Sequence, residues 1–155
     1  MKPRGFTLIE LLVTMALIAL FATMALPLAE LTLQRNKESE LRTALRQIRT
    51  ALDAYKQAVD EGRIIQRPGD SGYPRNLTVL VDGVEDAKSP TRAPLHFLRR
   101  IPQDPFADPA AKPEDSWGKR SYKSAHDRPQ PGEDVYDVYS LANGTGINGV
   151  PYREW

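Results

Sequence analysis

The chain has 155 residues, of which 41% are hydrophobic and 26% charged, and its 21 Lys and Arg residues nearly balance its 20 Asp and Glu residues. With no strong net charge, nonspecific nucleic-acid binding through a basic surface is not expected. The absence of cysteine excludes disulfide bonds, thiolate zinc sites and a thiol nucleophile.

The hydrophobic residues are concentrated near the N-terminus. Residues 6–29 contain 19 apolar residues out of 24 and one charged residue, whereas residues 30–155 contain 43 apolar residues out of 126 and 38 charged ones. A helix of about 20 apolar residues crosses a bilayer core, so residues 6–29 are predicted to span a membrane. Because Lys2 and Arg4 precede this segment, the N-terminus is expected in the cytoplasm. A cleavable secretory signal fits less well, since its apolar core is shorter, and a simple signal anchor stays open.

The one charged residue of this segment is Glu10. A carboxylate at the centre of a membrane helix costs about 2.5 to 3.5 kcal/mol, and somewhat less near an interface, so Glu10 requires a partner. The sequence around it, Gly5-Phe6-Thr7-Leu8-Ile9-Glu10-Leu11, follows a short basic leader and is followed by Pro27. This pattern resembles the cleavage and methylation motif of type IV prepilins and of the pseudopilins of type II secretion systems.

The resemblance implies a processing site and an assembly site. A prepilin peptidase would cleave between Gly5 and Phe6 and methylate the new amine of Phe6. Glu10 would then pair with the Phe6 amine of a neighbouring subunit, and breaking such a buried pair costs about 3 to 5 kcal/mol. Pro27 lacks the amide hydrogen of the helix ladder, so the helix is expected to kink or melt locally there. The alternative for Pro27 is an ordinary proline of a membrane helix.

An amphipathic continuation of the helix is predicted over residues 30–62. Its apolar positions are spaced by 4, 3, 4, 3 and 4 residues, which is one helical stripe: Leu41, Leu45, Ile48, Leu52, Tyr55 and Val59. We expect this stripe to pack against a globular domain. Gly62 is the expected end of the helix, because glycine adopts the left-handed cap conformation at little cost.

Residues 63–155 are predicted to form a small periplasmic head, and 11 of the 13 prolines of the chain lie there. A short helix is expected from Asn76, as its cap, to Asp82-Gly83. Two strands, Lys119 to Ala125 and Val135 to Leu141, are predicted on either side of a polar loop. The predicted fold class is α+β, with a long N-terminal helix packed against a small antiparallel sheet, as in type IV pilins.

Three segments of this head, Leu98–Phe106, Trp117–Tyr122 and Val135–Leu141, are similar in order and spacing to the major pseudopilin, the G subunit of type II secretion systems. In that family the loop after the last of these segments resembles a calcium site with aspartates. The corresponding candidates here are Leu141, Asn143, Asn148 and Glu154.

Calcium prefers six to eight oxygen ligands with carboxylates among them, and Glu154 is the one carboxylate in this loop. We therefore favour a turn-rich loop with asparagines and glycines at positive φ over a calcium site, and expect no other cofactor. Tyr152 and Trp155 are expected to pin the C-terminal segment to the domain.

An enzymatic function is not predicted. His96 and His126 are the two histidines, and His126 is interpreted as a solvated side chain beside Asp127. No nucleophile elbow, HExxH pair or phosphate-binding glycine loop is present. The acidic cluster between prolines is interpreted as solvated surface; it comprises Asp104, Asp108, Glu114 and Asp115.

The sequence thus predicts a structural subunit of a type II secretion system, anchored in the inner membrane by one helix with its head in the periplasm. The resemblance implies self-assembly into a periplasmic filament. It also implies as partners the minor pseudopilins, the prepilin peptidase and, indirectly, the inner-membrane assembly platform and secretion ATPase. Two alternatives stay open: a subunit of a type IV pilus used for adhesion, motility or DNA uptake, and a membrane-anchored periplasmic module that does not polymerise.

Overall fold

The computed structural model describes residues 7–155, apart from the side chains of residues 24–27. It confirms the α+β class. The described residues form two helices, α1 (Leu8–Asp60) and α2 (Val79–Asp82), and four short strands, β1 (Val84–Glu85), β2 (Pro94–Leu95), β3 (Trp117–Arg120) and β4 (Asp137–Ser140). Single 3-10 turns lie at Pro113–Asp115 and Tyr152–Glu154. The chain divides into two compact units between Asn36 and Lys37, which we call the N-terminal unit and the C-terminal unit.

In the N-terminal unit, helix α1 presents its apolar side chains to the surface. Leu8 is 76% exposed and Phe21 69% exposed. Among the described residues, α1 is the one helix long and apolar enough to cross a membrane. The helical backbone continues through Pro27, so the local melting considered for this position does not occur.

The C-terminal unit has a hydrophobic core built on the predicted stripe. Leu41, Leu45, Ile48, Leu52 and Tyr55 are buried, and Val59 is partly buried. The core is completed by residues in or just before α2 and β4, in β3 and in the C-terminal 3-10 turn, among them Leu77, Leu80, Trp117, Val135, Val138 and Tyr152. The 4-3-4 spacing therefore predicted the core face of the helix correctly.

The predicted cap at the end of α1 is confirmed as a Schellman motif. Gly62 has φ of 69°. Its amide donates to the carbonyl of Val59 at 2.8 Å, and the amide of Arg63 donates to the carbonyl of Ala58 at 2.8 Å. These two bonds satisfy carbonyls that the helix end would leave unpaired.

The short helix α2 is present and Asn76 bonds to its first amide, but the helix begins at Val79, with Thr78 at the N-cap position, rather than directly after Asn76. The side-chain oxygen of Asn76 accepts hydrogen bonds from the amide of Val79 at 3.1 Å and from the hydroxyl of Thr78 at 2.8 Å. Gly83 follows the helix with φ of 87°, and a Cβ at this position would lie 2.8 Å from the ring of His96. Glycine is needed here for both conformation and space.

The predicted antiparallel strand pair is present, but both strands are shorter than expected. In β3 and β4, Trp117 lies opposite Ser140 and Arg120 opposite Asp137. The first strand begins at Trp117 rather than Lys119 and ends at Arg120 rather than Ala125, because the amide of Ser121 donates to the carbonyl of Gln130 at 3.0 Å. The second strand begins at Asp137 rather than Val135, whose amide donates to the carbonyl of Pro74, and ends at Ser140 rather than Leu141. A second sheet, β1 with β2, was not predicted.

Candidate functional site

The processing site lies at the edge of what the structure describes. Gly5 and Phe6 are outside the described residues, so the predicted cleavage between them stays a prediction. The described chain begins at Thr7, and Glu10 lies in the first turn of α1.

Within its own chain, Glu10 forms a capping box with Thr7. The hydroxyl oxygen of Thr7 accepts from the amide of Glu10 at 3.4 Å, and a carboxylate oxygen of Glu10 accepts from the amide of Thr7 at 3.4 Å. This reciprocal pairing satisfies two amides of the helix start. The Thr-x-x-Glu spacing of the sequence is the signal for this capping box, whereas the sequence-based prediction for Glu10 names only a cationic partner. The distances are at the long end for hydrogen bonds, so the cap is weak.

The surface of helix α1 around and after Glu10 is apolar on all sides. We call it the apolar surface; its large side chains are 50 to 76% exposed and comprise Leu8, Ile9, Leu11, Leu12, Val13, Met15, Leu17, Ile18, Leu20 and Phe21. Two hydroxyl groups within it bond back to the helix: Thr14 donates to the carbonyl of Leu11 at 2.9 Å and Thr23 to that of Leu20 at 2.7 Å. Because these polar groups are satisfied internally, the surface suits lipid or the helices of other copies.

On the charged side of α1, Arg49 forms hydrogen bonds within the C-terminal unit. Arg49 donates from Nε to the carboxylate of Asp137 at 2.8 Å. Its Nη2 donates to the backbone carbonyls of Val138 at 3.1 Å and Trp155 at 2.7 Å. Arg120 contacts the other oxygen of Asp137 at 3.2 Å. These charge-assisted hydrogen bonds connect the helix to β4 and to the C-terminal segment.

Tyr152 and Trp155 pin the C-terminal segment, as expected. The ring of Tyr152 is buried and stacks on Phe106 with 4.3 Å between centroids. Trp155 meets Tyr152 edge-on at 5.3 Å, and the guanidinium of Arg42 lies 4.4 Å above the ring of Trp155. The segment is held by aromatic and cation–π contacts.

Two of the calcium candidates, Asn148 and Glu154, contact other groups of the chain. The side chain of Leu141 is exposed, and the amide oxygen of Asn148 accepts from the amide of Val150 at 3.1 Å. Glu154 lies in a 3-10 turn beside Arg153, at 4.0 Å. Within residues 7–155, no group of three or more His, Asp or Glu side chains is arranged to hold a metal ion.

The backbone of this loop also differs from the expectation. Gly149 has φ of 80°, but Asn143 and Asn148 do not adopt positive φ. Gly146 is needed for space instead, since a Cβ there would lie 2.4 Å from the ring of Trp155. The small residues of the loop thus allow an aromatic ring to pack on its backbone.

Asp104 is a correction to the interpretation of the acidic cluster as solvated surface. Its side chain is almost completely buried, with the residue 2% exposed. It accepts from the amide of Phe106 at 2.8 Å, which closes an Asx turn, and from the hydroxyl of Ser140 in β4. Asp108 also accepts locally, from the amide of Ala110 at 2.9 Å. Asp104 ties the proline-rich loop to the sheet.

The groups considered for catalysis do not assemble into a site. His126 and Asp127 are both exposed, and Nδ1 of His96 lies 2.8 Å from the carbonyl oxygen of Val81. The open cleft beside the 121–134 loop contains Asp134. Burial raises the pKa of Asp134, but hydrogen bonds from Ser121, Ser71 and the amide of Tyr122 outweigh it, so the pKa is lowered overall. A carboxylate held ionised by structural bonds is poorly suited to proton transfer near neutral pH.

Comparison with known families identifies the N-terminal segment. Residues 1–26 match the family model of the prokaryotic N-terminal methylation motif. Comparisons with curated proteins and with solved structures yield no match. The motif supports a prepilin-type, type IV pilin-like protein and points to a structural subunit rather than an enzyme. Helix α1 is an apolar helix that can anchor such a protein in a membrane.

Proposed function

We propose that the chain is a filament subunit, the major pseudopilin of a type II secretion system. The observation that carries the proposal is the methylation motif over residues 1–26, which overlaps the part of helix α1 whose large apolar side chains are exposed. A helix that is apolar all round must be covered by lipid or by protein. Transfer from lipid into a bundle of like helices keeps it covered throughout assembly.

Processing would create the cation that pairs with Glu10. Cleavage after Gly5 leaves a positively charged amine on Phe6, and methylation keeps that charge. In an apolar environment a carboxylate is tolerated when a cation lies close to it. The weak cap that Thr7 gives Glu10 within the chain, at 3.4 Å, is easily exchanged for an ion pair with the amine of the next copy.

The C-terminal unit would travel with the filament as a separate folded domain. Its core is complete within residues 37–155. Assembly then needs no refolding of this unit when α1 leaves the membrane. A peptidase, minor pseudopilins at the tip, an inner-membrane platform and a cytoplasmic ATPase would drive growth of the filament in the periplasm.

A subunit of a true type IV pilus is the second candidate. Two features favour the pseudopilin: the three segments of residues 98–141 that are similar to the G subunit, and the lack of the C-terminal disulfide that is usual in pilins. The two candidates share the N-terminal chemistry and differ in where the filament is found.

The proposed role of Glu10 is tested by replacing it with alanine, with Glu30→Ala as a matched control. Glu30 is an exposed glutamate of the same helix. Both variants should be cleaved between Gly5 and Phe6. Glu10→Ala should lose incorporation into filaments, as measured by shearing and sedimentation, because an uncompensated amine costs about 3 to 5 kcal/mol when buried. Normal assembly of Glu10→Ala would contradict the pairing, whereas a wild-type chain that is cleaved but forms no filaments would favour a membrane anchor that does not polymerise.

The two filament types are separated by a deletion strain and an overproducing strain. A pseudopilin deletion should retain exoproteins in the periplasm, and the wild-type gene should restore export. Intact secretion, together with surface filaments seen by electron microscopy at native expression, would favour the pilus.

A further inference from the structure

A buried glutamate of α1 contacts the loop that follows β4. The residue is Glu38, which is 5% exposed. One of its carboxylate oxygens accepts a hydrogen bond from the backbone amide of Ile147 at 2.8 Å and another from the hydroxyl of Tyr152 at 3.1 Å. More than 100 residues separate Glu38 from both donors. All three residues lie in the C-terminal unit.

The loop around Ile147, residues 143–151, is otherwise closed by its own backbone. The amide of Gly146 donates to the carbonyl of Val150 at 2.9 Å, and the amide of Tyr152 donates to the carbonyl of Gly144 at 3.0 Å. The carbonyl of Val150 also accepts from the indole of Trp155 at 3.2 Å. These oxygens thus face N–H donors within the loop.

The polarity of this arrangement is opposite to that of a cation site. A calcium ion requires six to eight oxygens directed at one point. Here the carbonyl oxygens of Gly144 and Val150 and the side-chain oxygen of Asn148 accept from N–H groups. The amide hydrogen of Ile147 and the hydroxyl hydrogen of Tyr152 are directed at a carboxylate. A carboxylate that accepts charge-assisted hydrogen bonds can order such a loop by itself.

We propose that the carboxylate of Glu38 closes loop 143–151 onto helix α1, so that the loop is ordered by a side chain of the chain itself and not by a bound divalent cation. The carboxylate holds the middle of the loop through Ile147 and the residue that follows the loop, Tyr152. Tyr152 then carries the stacking contacts to Phe106 and Trp155. The proposal concerns the folded C-terminal unit and does not depend on whether the chain forms filaments.

The test is amide hydrogen exchange of the full chain in detergent micelles, for the wild type and for Glu38→Ala, Glu38→Gln and Glu40→Ala. Glu40 is an exposed glutamate on the same turn and serves as the control. Loss of a hydrogen bond to a charged group should speed exchange at Ile147 by roughly 10-fold or more in Glu38→Ala. Glu38→Gln, which keeps an acceptor oxygen, should show a smaller increase, and Glu40→Ala none. Exchange at Tyr136, whose amide donates to Arg120 in the sheet region, should not change.

A second arm needs no substitution and remains decisive if Glu38→Ala does not fold. Exchange at Ile147 in the wild type is measured in EDTA and in millimolar calcium chloride, and the proposal expects equal rates. It would be overturned by a loop that loses protection in EDTA and regains it with calcium, or by unchanged protection of Ile147 in folded Glu38→Ala.

Discussion

The two units of this chain use the same helix in opposite ways. From Leu8 to Phe21, α1 exposes its large apolar side chains, whereas from Leu41 onward the apolar stripe is buried. Ile18 is 63% exposed and Ile48 0% exposed, although both are isoleucines of one continuous helix. Burial of apolar surface stabilises the C-terminal unit within one chain, while the N-terminal unit can gain the same stabilisation only from lipid or from other copies.

This difference explains why the two units respond to different changes. The C-terminal unit gains its stability from side-chain contacts that are local to it, so substitutions in its core change the free energy of unfolding. Substitutions in the N-terminal unit are expected to change insertion and assembly instead. Matched substitutions in the two units can test this separation.

The largest effect is expected for Ile48→Ala, compared with Ile18→Ala. Removing the buried side chain of Ile48 should lower the free energy of unfolding of the C-terminal unit by about 2 to 5 kcal/mol. Ile18→Ala should change it by less than about 0.5 kcal/mol, since the side chain lies outside that core. Urea unfolding of the detergent-solubilised chain can be followed by the fluorescence of Trp117, which is buried in the core. Similar losses in both variants would contradict the separation.

A smaller effect is expected for Arg49→Ala, with Arg46→Ala as the control. Arg49 makes three hydrogen bonds to β4 and the C-terminal segment. Arg46 makes one long contact to Thr43, at 3.4 Å. Arg49→Ala should lower the free energy of unfolding by about 1 to 3 kcal/mol, because hydrogen bonds to a charged group are lost while Asp137 keeps its contact with Arg120. Arg46→Ala should cost less than about 0.5 kcal/mol. Equal midpoints of unfolding for the two variants would show that the hydrogen bonds of Arg49 do not stabilise the C-terminal unit.

The smallest effect on stability is expected for Asp86→Asn, and it depends on pH. The hydrogen bond from Arg63, with Nη2 at 2.6 Å, lowers the pKa of Asp86 below 3.8. A lowered pKa means that the ionised form stabilises the folded state above pH 3.8, and that this contribution is lost as the pH falls through the folded value. Asp86→Asn should therefore melt below the wild type at pH 7, and the gap should narrow in acid below pH 3.8.

Asp82→Asn, at an exposed carboxylate nearby, serves as the control. Its melting temperature should differ from that of the wild type by the same small amount at both pH values. A gap for Asp86→Asn that stays constant with pH would show that its ionisation does not contribute to stability.

Periodic and local features of the fold could be predicted from the sequence. The helical stripe, the Schellman cap at Gly62 and the side-chain hydrogen bond of Asn76 to the start of α2 depend on residues a few positions apart. Strand ends were predicted less well, because they depend on which partner an amide finds across space. Ser121 pairs with Gln130 and Val135 with Pro74, and no short-range pattern specifies either bond. The two-residue strands β1 and β2 are too short to show alternation.

The structural roles of charged residues could likewise be predicted only where a short-range pattern indicates them. Glu10 was found because a carboxylate stands out in an apolar segment. The buried structural roles of Asp104 and Glu38 are not predicted, because a carboxylate in a polar region of the sequence resembles solvated surface until its hydrogen-bond donors are known. The donors of Glu38 lie more than 100 residues away. Asp104 had a local signal, the Asx turn to Phe106, that could have indicated a structural role.

The central claim is that Glu10 joins one copy to the next, and the most direct test is a filament structure by electron cryomicroscopy at side-chain resolution. We expect a carboxylate oxygen of Glu10 to lie within about 4 Å of the amine of Phe6 of a neighbouring copy, the distance of an ion pair. We also expect the apolar surface to be covered by the helices of other copies. A filament in which Glu10 stays on Thr7 of its own chain, with no cation of a neighbour in reach, would contradict the account.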